Sequence, residues 1–536
     1  MAHNQAPEKL REPLRDALLR CVDWRFLLPG VEPPWSISLV SGRVAEAVRL
    51  VSATESDILM RAGEAAVCDL VVIGRPTHAA LRRAHAALQP GGAVYCEWAL
   101  PRPGGAWRAR RALRRAGFDE VHLHWPWPPP QRSSPHFWLP LDSAAAAAHL
   151  LALRPVRHRR EVLLRRLWRI ASLVGAVAPL SAIGRRSPAA AADSAGTDSA
   201  PAEEIETLLD ALALGRESGV SGIPARRSWL LLTGGSRSIN KVVGLPFSAR
   251  DPIPRLVVKF ARVAEAEPAL HHEADVLRAL ELERPDLPGI PRVLAVGRRA
   301  GRVALAETAI HGAPLLASLT EATFPKLAAD VTRWLIELAG DASPRPPAEW
   351  SGRLVAEPLE QFERRFAAVA DAGALRQARE LLRLLPDLPS ICEHRDCSPW
   401  NIVLTDGGAP ALLDWESAEL GGLPALDLVY FLTNAAFVVT GALQSGRTRE
   451  VYRELLDPAT HLGRAAADCL TEYSHRLGLD RDGLARLRLL CWIVHCRSDY
   501  RHLEMDAAGA PDDRALRSSV FLGLVHEELR IGQAGV

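Results

Sequence analysis

ICEHRDCSPWNIVL at 391–404, followed by ALLDWE at 411–416, is the stretch from which the rest of the chain can be read. His394, Asp396 and Asn401 fit the spacing H-x-D-x-x-x-x-N, and Asp414 follows Asp396 by eighteen residues, after a short strand-turn-strand segment. A carboxylate set beside a hydroxyl can orient it and accept its proton. An amide oxygen and a second carboxylate on an adjacent loop are hard donors that can converge on one divalent cation. Asp396 suits the first task, and Asn401 with Asp414 the second. A hairpin rich in Asx caps is the competing explanation. It fits the whole set poorly, because asparagine occurs only at Asn4, Asn240, Asn401 and Asn434.

Upstream lies an independent test. Of the 65 Lys and Arg residues only Lys9, Lys241, Lys259 and Lys326 are lysines, so each lysine asks for a reason. Leu256-Val257-Val258-Lys259-Phe260 is a strand pattern, and HHEADVLRALE places Glu273 near the start of a helix. A compact ammonium reaches between phosphate oxygens where a planar guanidinium fits poorly, and a glutamate can hold it in place. Before this strand, SWLLLTGGSRSINKVVGLPF reads as two apolar runs around a turn of small residues. There the backbone and hydroxyls of Gly234, Gly235, Ser236 and Ser238 can cradle phosphates. A plain hairpin would look the same, and the position just before Lys259 favours the cradle. After it, GRVALAETAIHGAPL is a strand running into a polar connection, where a purine base can hydrogen-bond to backbone near Glu307 to Ile310.

The spacing at 394–414 is the catalytic-loop and metal-loop arrangement of eukaryotic-type kinases. Residues from about 228 to 432, with the helices beyond, resemble the aminoglycoside phosphotransferase and choline kinase-like family. The resemblance rests on HRDCSPWN, LLDWE, the VVKF lysine, ETAIHG and GLPALDL. It implies a two-lobed protein-kinase-like fold, a lobe at 205–310 and a second at 311–536, and ATP-dependent phosphorylation of a hydroxyl on a small acceptor. Asp396 is then the base, Asn401 and Asp414 hold Mg2+, and Lys259 meets the nucleotide. His394 is read as a loop brace and Asp427 as a structural cap. The family commonly has glycine where this chain has Arg395. A protein kinase shares both spacings. DWE in place of DFG, and thirteen residues from Asp414 to Asp427 with no Ala-Pro-Glu after them, leave no ordinary activation segment and favour a small acceptor. Two other readings stay open: a nucleotide-binding regulatory pseudokinase, and a bifunctional methyltransferase-kinase.

The second of these comes from the other end of the chain. CDLVVIG from Cys68, PTHAALRRAHAALQ, PGGAVYCEW, a helical Arg108–Ala116, then FDEVHLHW and HFWLPL alternate in the manner of an α/β layer with a mostly parallel sheet. Residues 1–140 resemble S-adenosylmethionine-dependent methyltransferases, and a Rossmann-like, degenerate domain is expected over 1–160. Only Gly42 stands in the turn after ISLV, where successive glycines would admit a nucleoside, so S-adenosylmethionine binding is not expected. Residues 161–204 are expected to hold a basic helix and a linker. Over 157–174 apolar residues at helical spacing alternate with arginines, a pattern that suits either an anionic membrane surface or packing on its own domain. The packing reading is preferred. SPAAAADSAGTDSAPAE at 187–203 has no large apolar residue and reads as a flexible linker.

Composition bounds what remains. The 536 residues suffice for two to four domains, and 48% hydrophobic against 24% charged residues is ordinary globular usage. A formal net charge of +2 excludes a global field for nucleic acid. The eight cysteines show no paired C-x-x-C spacing, no signal peptide is evident, and the apolar run 170–183 is too short to span a bilayer. A cytoplasmic protein is expected.

Overall fold

The computed structural model describes residues 12–28, 36–39, 43–51, 54–55, 68–74, 76–98, 104–130, 133–152, 180–187, 204–214, 227–235, 237, 239–248, 253–341, 343–507 and 510–534. They fall into two compact units, Met1–Ala274 with Arg292–Ala309, and Asp275–Pro291 with Ile310–Val536.

The first unit is built on one twelve-stranded sheet. At one end β1 (Ser36–Leu39), β2 (Thr54–Glu55), β3 (Cys68–Ile73) and β4 (Leu88–Trp98) run parallel in the order β2-β1-β3-β4. The strand order thus reverses between β1 and β3. β3 is a nearly continuous apolar run because both its faces are covered. On one face the helices His78–Ala87 and Gly105–Arg115 set Leu81, Ala84, Ala109 and Leu113 against Val71, Ile73, Val94 and Cys96. The Thr77 hydroxyl starts the first of these helices by accepting from the Ala80 N–H at 3.2 Å.

The remaining strands are antiparallel. β5 (Glu120–Trp127) and β6 (Phe137–Pro140) form a pair, and β7 (Leu180–Arg185) inserts between β4 and β5. Then β8 (Ser228–Leu232), β9 (Val242–Phe247), β10 (Leu256–Phe260), β11 (Val293–Arg299) and β12 (Arg302–Thr308) continue the sheet in the order β8-β9-β10-β12-β11. The seam is the β6–β8 pair, with Phe137 opposite Leu232 and Trp138 opposite Leu231. Sequence reading separates an α/β domain from a kinase-like lobe by a linker. The structure instead carries one ladder through both, because β6 and β8 each present a free edge that the other satisfies. Residues 157–174 and 188–203, expected as basic helix and linker, and the turn holding Gly42, lie outside the described residues.

The segment Asp23–Leu27 fastens the two halves of this sheet. Trp24 stacks on Tyr95 of β4 at 3.9 Å between ring centroids, and Phe26 stacks on Phe260 of β10 at 4.9 Å. Between them the buried Asp23 carboxylate accepts from Arg262 Nε at 3.0 and 3.1 Å. Arg25, fully buried, donates to the Arg262 carbonyl at 2.5 Å, and burial lowers its pKa to about 10. Full burial of one such aromatic side chain contributes roughly 1.5–3 kcal/mol.

The second unit is mainly helical around Leu426–Thr440, a helix apolar over most of its circumference and buried throughout its first three turns. Phe324–Ala339, Thr448–Leu456, His461–Leu477 and Arg481–Ala507 pack on it. A hairpin of Ile402–Thr405 and Pro410–Leu412 lies at one end of this unit. No helix among the described residues is long and apolar enough to cross a membrane.

Candidate active site

In the second unit the hairpin sets the register of the site. Ile402 pairs with Leu412, so Asn401 stands opposite Leu413, whose N–H donates to the Asn401 carbonyl at 2.9 Å. Asp414 therefore follows directly on the residue bonded to Asn401. The Asn401 amide Nδ2 donates to Asp396 Oδ2 at 2.8 Å and to the Asp396 carbonyl at 3.0 Å, which turns the amide oxygen away from the Asp396 carboxylate. His394 is fully buried and braces both loops. Its Nε2 donates to the Leu413 carbonyl at 3.1 Å, and its Nδ1 accepts from the Asp396 N–H at 3.3 Å, which fixes a neutral tautomer. Its ring meets Trp415 edge-on at 4.6 Å.

Two residues here hold left-handed backbone, Arg395 at φ 64° and Asp414 at φ 76°. For residues other than glycine this conformation costs of order 1–3 kcal/mol and persists only where the surroundings impose it. At Arg395 the surroundings are Asp427, whose carboxylate accepts from the N–H of His394 at 2.6 Å and of Arg395 at 2.8 Å. Burial, then Glu393, raise the Asp427 pKa to about 8, while these two N–H donors act in the opposite sense. The Arg395 guanidinium lies 3.4 Å from Glu393 and 3.6 Å from Glu419. Burial raises the Glu393 pKa and Arg395 lowers it.

Magnesium fits this donor set. Asn401 offers an amide oxygen and Asp414 a carboxylate, and Mg2+ commonly takes one or two protein oxygens with phosphates and water completing its shell.

In the first unit Lys259 of β10 is buried between two carboxylates. Its Nζ lies 2.6 Å from Glu273 Oε1, in the helix Glu267–Glu283, and 2.8 Å from Glu307 Oε1 at the end of β12. Lys241 reaches the other oxygen of Glu273 at 3.4 Å. Two of the chain's four lysines thus converge on one buried glutamate. Burial raises the Glu307 pKa to about 7 although Lys259 opposes it.

The Gly-rich turn precedes Lys241. Gly235 has φ 74°, and a Cβ there would lie 2.2 Å from Asn240 Oδ1, so only glycine fits, whereas Gly234 faces open space. Asn240 Oδ1 accepts from the Arg237 N–H at 2.9 Å, and Arg262 Nη1 donates to the carbonyls of Arg237 and Asn240 at 2.8 and 2.7 Å. Ser236 and Ser238 lie outside the described residues. The connection after β12 departs from expectation. Glu307 sends its side chain to Lys259, and the N–H groups of Thr308 and Ala309 are already bonded to the carbonyls of Arg292 and Arg255 at 2.9 and 3.0 Å. Ile310 is half-buried and belongs to the second unit.

Asn401 and Asp414 thus flank one hairpin with Asp396 bonded to Asn401, and Lys259, Glu273 and Glu307 form one buried cluster. Sequence reading did not assign Lys241 or the Glu307 carboxylate to the site. The scarcity of lysine was the signal available for Lys241.

Residues 247–459 match the phosphotransferase enzyme family model. The match covers less than half of the chain and contains Lys259, Glu273, Asp396, Asn401 and Asp414. No curated protein matches the chain. Among solved structures, a thermostable mutant of aminoglycoside phosphotransferase APH(4)-Ia, apo form, is similar at 17% identity and a TM-score of 0.37, covering 57% of this chain and 94% of that one. The aminoglycoside phosphotransferase APH(3'')-Id from Streptomyces rimosus matches at 18% identity and 0.34, covering 54% and 97%. A choline/ethanolamine kinase family protein from Mesorhizobium loti matches at 16% and 0.36, covering 61% and 98%. Residues 1–140 lie outside the family match, which gives the methyltransferase resemblance no support.

Proposed function

We infer that the chain transfers a phosphoryl group from Mg-ATP to a hydroxyl of a small molecule. The observation that carries this reading is the Asp396–Asn401–Asp414 arrangement around one hairpin, braced by His394. Asp396 accepts the proton of the attacking hydroxyl, and the Asn401 amide fixes the orientation of its carboxylate. Asn401 Oδ1 and the Asp414 carboxylate would hold Mg2+, which neutralises charge on the phosphates when bound. Lys259, positioned by Glu273, meets phosphate oxygens, and the backbone near Gly234 and Gly235 supports them. A small acceptor follows from the short run between Asp414 and Asp427, filled by buried Trp415, the strand Glu419–Gly422 and the start of the Leu426–Thr440 helix. We read residues 1–140 as a layer that does not use S-adenosylmethionine. With its eight cysteines in the thiol form, the protein suits the cytoplasm.

ADP release measured against aminoglycosides, amino alcohols, sugars and nucleosides tests the reading, and hygromycin B and streptomycin, bound in similar solved structures, belong in the first panel. Acceptor-dependent release that vanishes in Asp396→Ala is expected. A chain that binds no Mg-nucleotide would overturn it. Binding without transfer to any acceptor would favour the regulatory pseudokinase.

A further inference from the structure

The cluster around Lys259 contains one group that the phosphotransferase reading leaves without a task. Glu307 is 3% exposed, and only one of its carboxylate oxygens is bonded, to Lys259 at 2.8 Å. Oε2 is buried with no hydrogen-bond partner. Glu273, by contrast, has an ammonium on each oxygen, Lys259 at 2.6 Å and Lys241 at 3.4 Å. Among the described residues the charged groups that act on Glu307 are Lys259 from β10, Glu273 from the Glu267–Glu283 helix and Lys241 just before β9. The set carries two positive and two negative charges, so it is neutral as it stands.

We propose that Glu307 is a second positioning carboxylate for Lys259, and that nucleotide phosphates bind there together with a proton taken up on Glu307. This rests on the reading of Lys259 as a phosphate ligand. Phosphates arriving at Lys259 bring negative charge into a neutral buried cluster, and like charge nearby raises the proton affinity of a carboxylate. Glu307 is the carboxylate that responds, because Glu273 keeps two ammoniums and Glu307 shares one. The proton comes from solvent, adds to the Glu307 carboxylate and leaves Glu273 charged. The resting pKa of about 7, raised by burial, leaves Glu307 largely ionised above neutrality and so able to take the proton up. The sign follows from linkage. The bound state holds more protons than the free state, so affinity falls as pH rises, by up to about tenfold per pH unit for one proton.

The test is calorimetry of the full chain with Mg-AMP-PNP at pH 7.8, in Hepes and in Tris, whose ionisation enthalpies differ. The wild-type protein is expected to show a binding enthalpy that depends on the buffer, reporting uptake of roughly half to one proton, with affinity about tenfold weaker at pH 8.8 than at 7.8. Glu307→Gln keeps the size and an oxygen for Lys259 but cannot titrate. In it the enthalpy should be independent of buffer and the affinity flat over the same range. Nucleotide binding with the same enthalpy in both buffers would overturn the proposal and leave the phosphotransferase reading standing, as would undiminished proton uptake in Glu307→Gln. No nucleotide binding at all would overturn both. The wild-type comparison needs no variant, so it decides the matter even if Glu307→Gln fails to fold.

Discussion

Asp396 and Asp414 lie on either side of one hairpin and have different neighbours. Asp396 has its carboxylate tied to the Asn401 amide, whereas Asp414 is held at φ 76° immediately after the residue bonded to Asn401. Asp396→Ala should reduce phosphoryl transfer by about 10²–10⁴-fold and leave Mg-nucleotide affinity within about twofold, since a proton-accepting carboxylate acts on the chemical step. Asp414→Ala should weaken Mg-nucleotide binding itself by more than about tenfold. Turnover assays and calorimetry on the two variants separate these effects, and equal losses of affinity would contradict the division. At this scale the sequence was legible wherever a residue type is rare or its spacing is fixed by chemistry. Lys259 and Glu273 belong to a strand and the helix after it, and their pairing follows from that pattern. Glu307 was not legible in its role, because the direction of a side chain at a strand end depends on the register with β10, where Val257 stands opposite it.

The short hairpin depends on a contact that no local pattern announces. Gly289 has φ 86°, its carbonyl accepts from the Leu412 N–H at 3.0 Å, and a Cβ there would lie 2.6 Å from the Pro410 carbonyl oxygen. Gly289→Ala should destabilise the protein by about 2 kcal/mol in urea unfolding, from left-handed backbone and overpacking together. Because the hairpin presents Asn401 and Asp414, Mg-nucleotide binding should weaken in parallel. Asp427→Ala should be at least as damaging, since it strips the acceptor from the N–H groups of His394 and Arg395, and a buried unsatisfied group costs roughly 1–3 kcal/mol. Chemical denaturation of this variant checks the expectation. The hairpin itself reads plainly from NIVLTDGGAPALL, with its turn residues between two apolar runs. Gly289 does not, because PDLPGIPR reads as an ordinary loop and its partner lies more than a hundred residues further on.

Continuity of the twelve-stranded sheet governs the behaviour of the whole first unit. Removing residues 1–204 would take away β6, Trp24, Phe26 and Asp23, leaving the β8 edge open, Phe260 uncovered and Arg262 buried without its carboxylate. The fragment 205–536 should therefore be recovered mostly as aggregate, or melt at a markedly lower temperature than the full chain, and solubility with calorimetric melting tests this. Individual strands such as β3, β5 and β10 were readable from apolar runs and turns. Their merger was not, since a linker-like composition at 187–203 says nothing about which strand edges meet. The distribution of sulfur has a practical consequence of its own. None of the eight cysteines forms a disulfide, and Cys392 is the one that is not fully buried. Cys21, Cys68 and Cys96 belong to the first unit, and Cys392, Cys397, Cys469, Cys491 and Cys496 to the second. Burial pushes the Cys68 pKa up to about 11 and that of Cys491 well above the ordinary thiol range, so alkylating reagents must wait for the structure to open before they reach the buried thiols. Intact-mass measurements during slow alkylation would then show Cys392 apart from blocks of three and of four increments, and the order in which the blocks arrive would time the opening of each unit in a protein that carries its own labels.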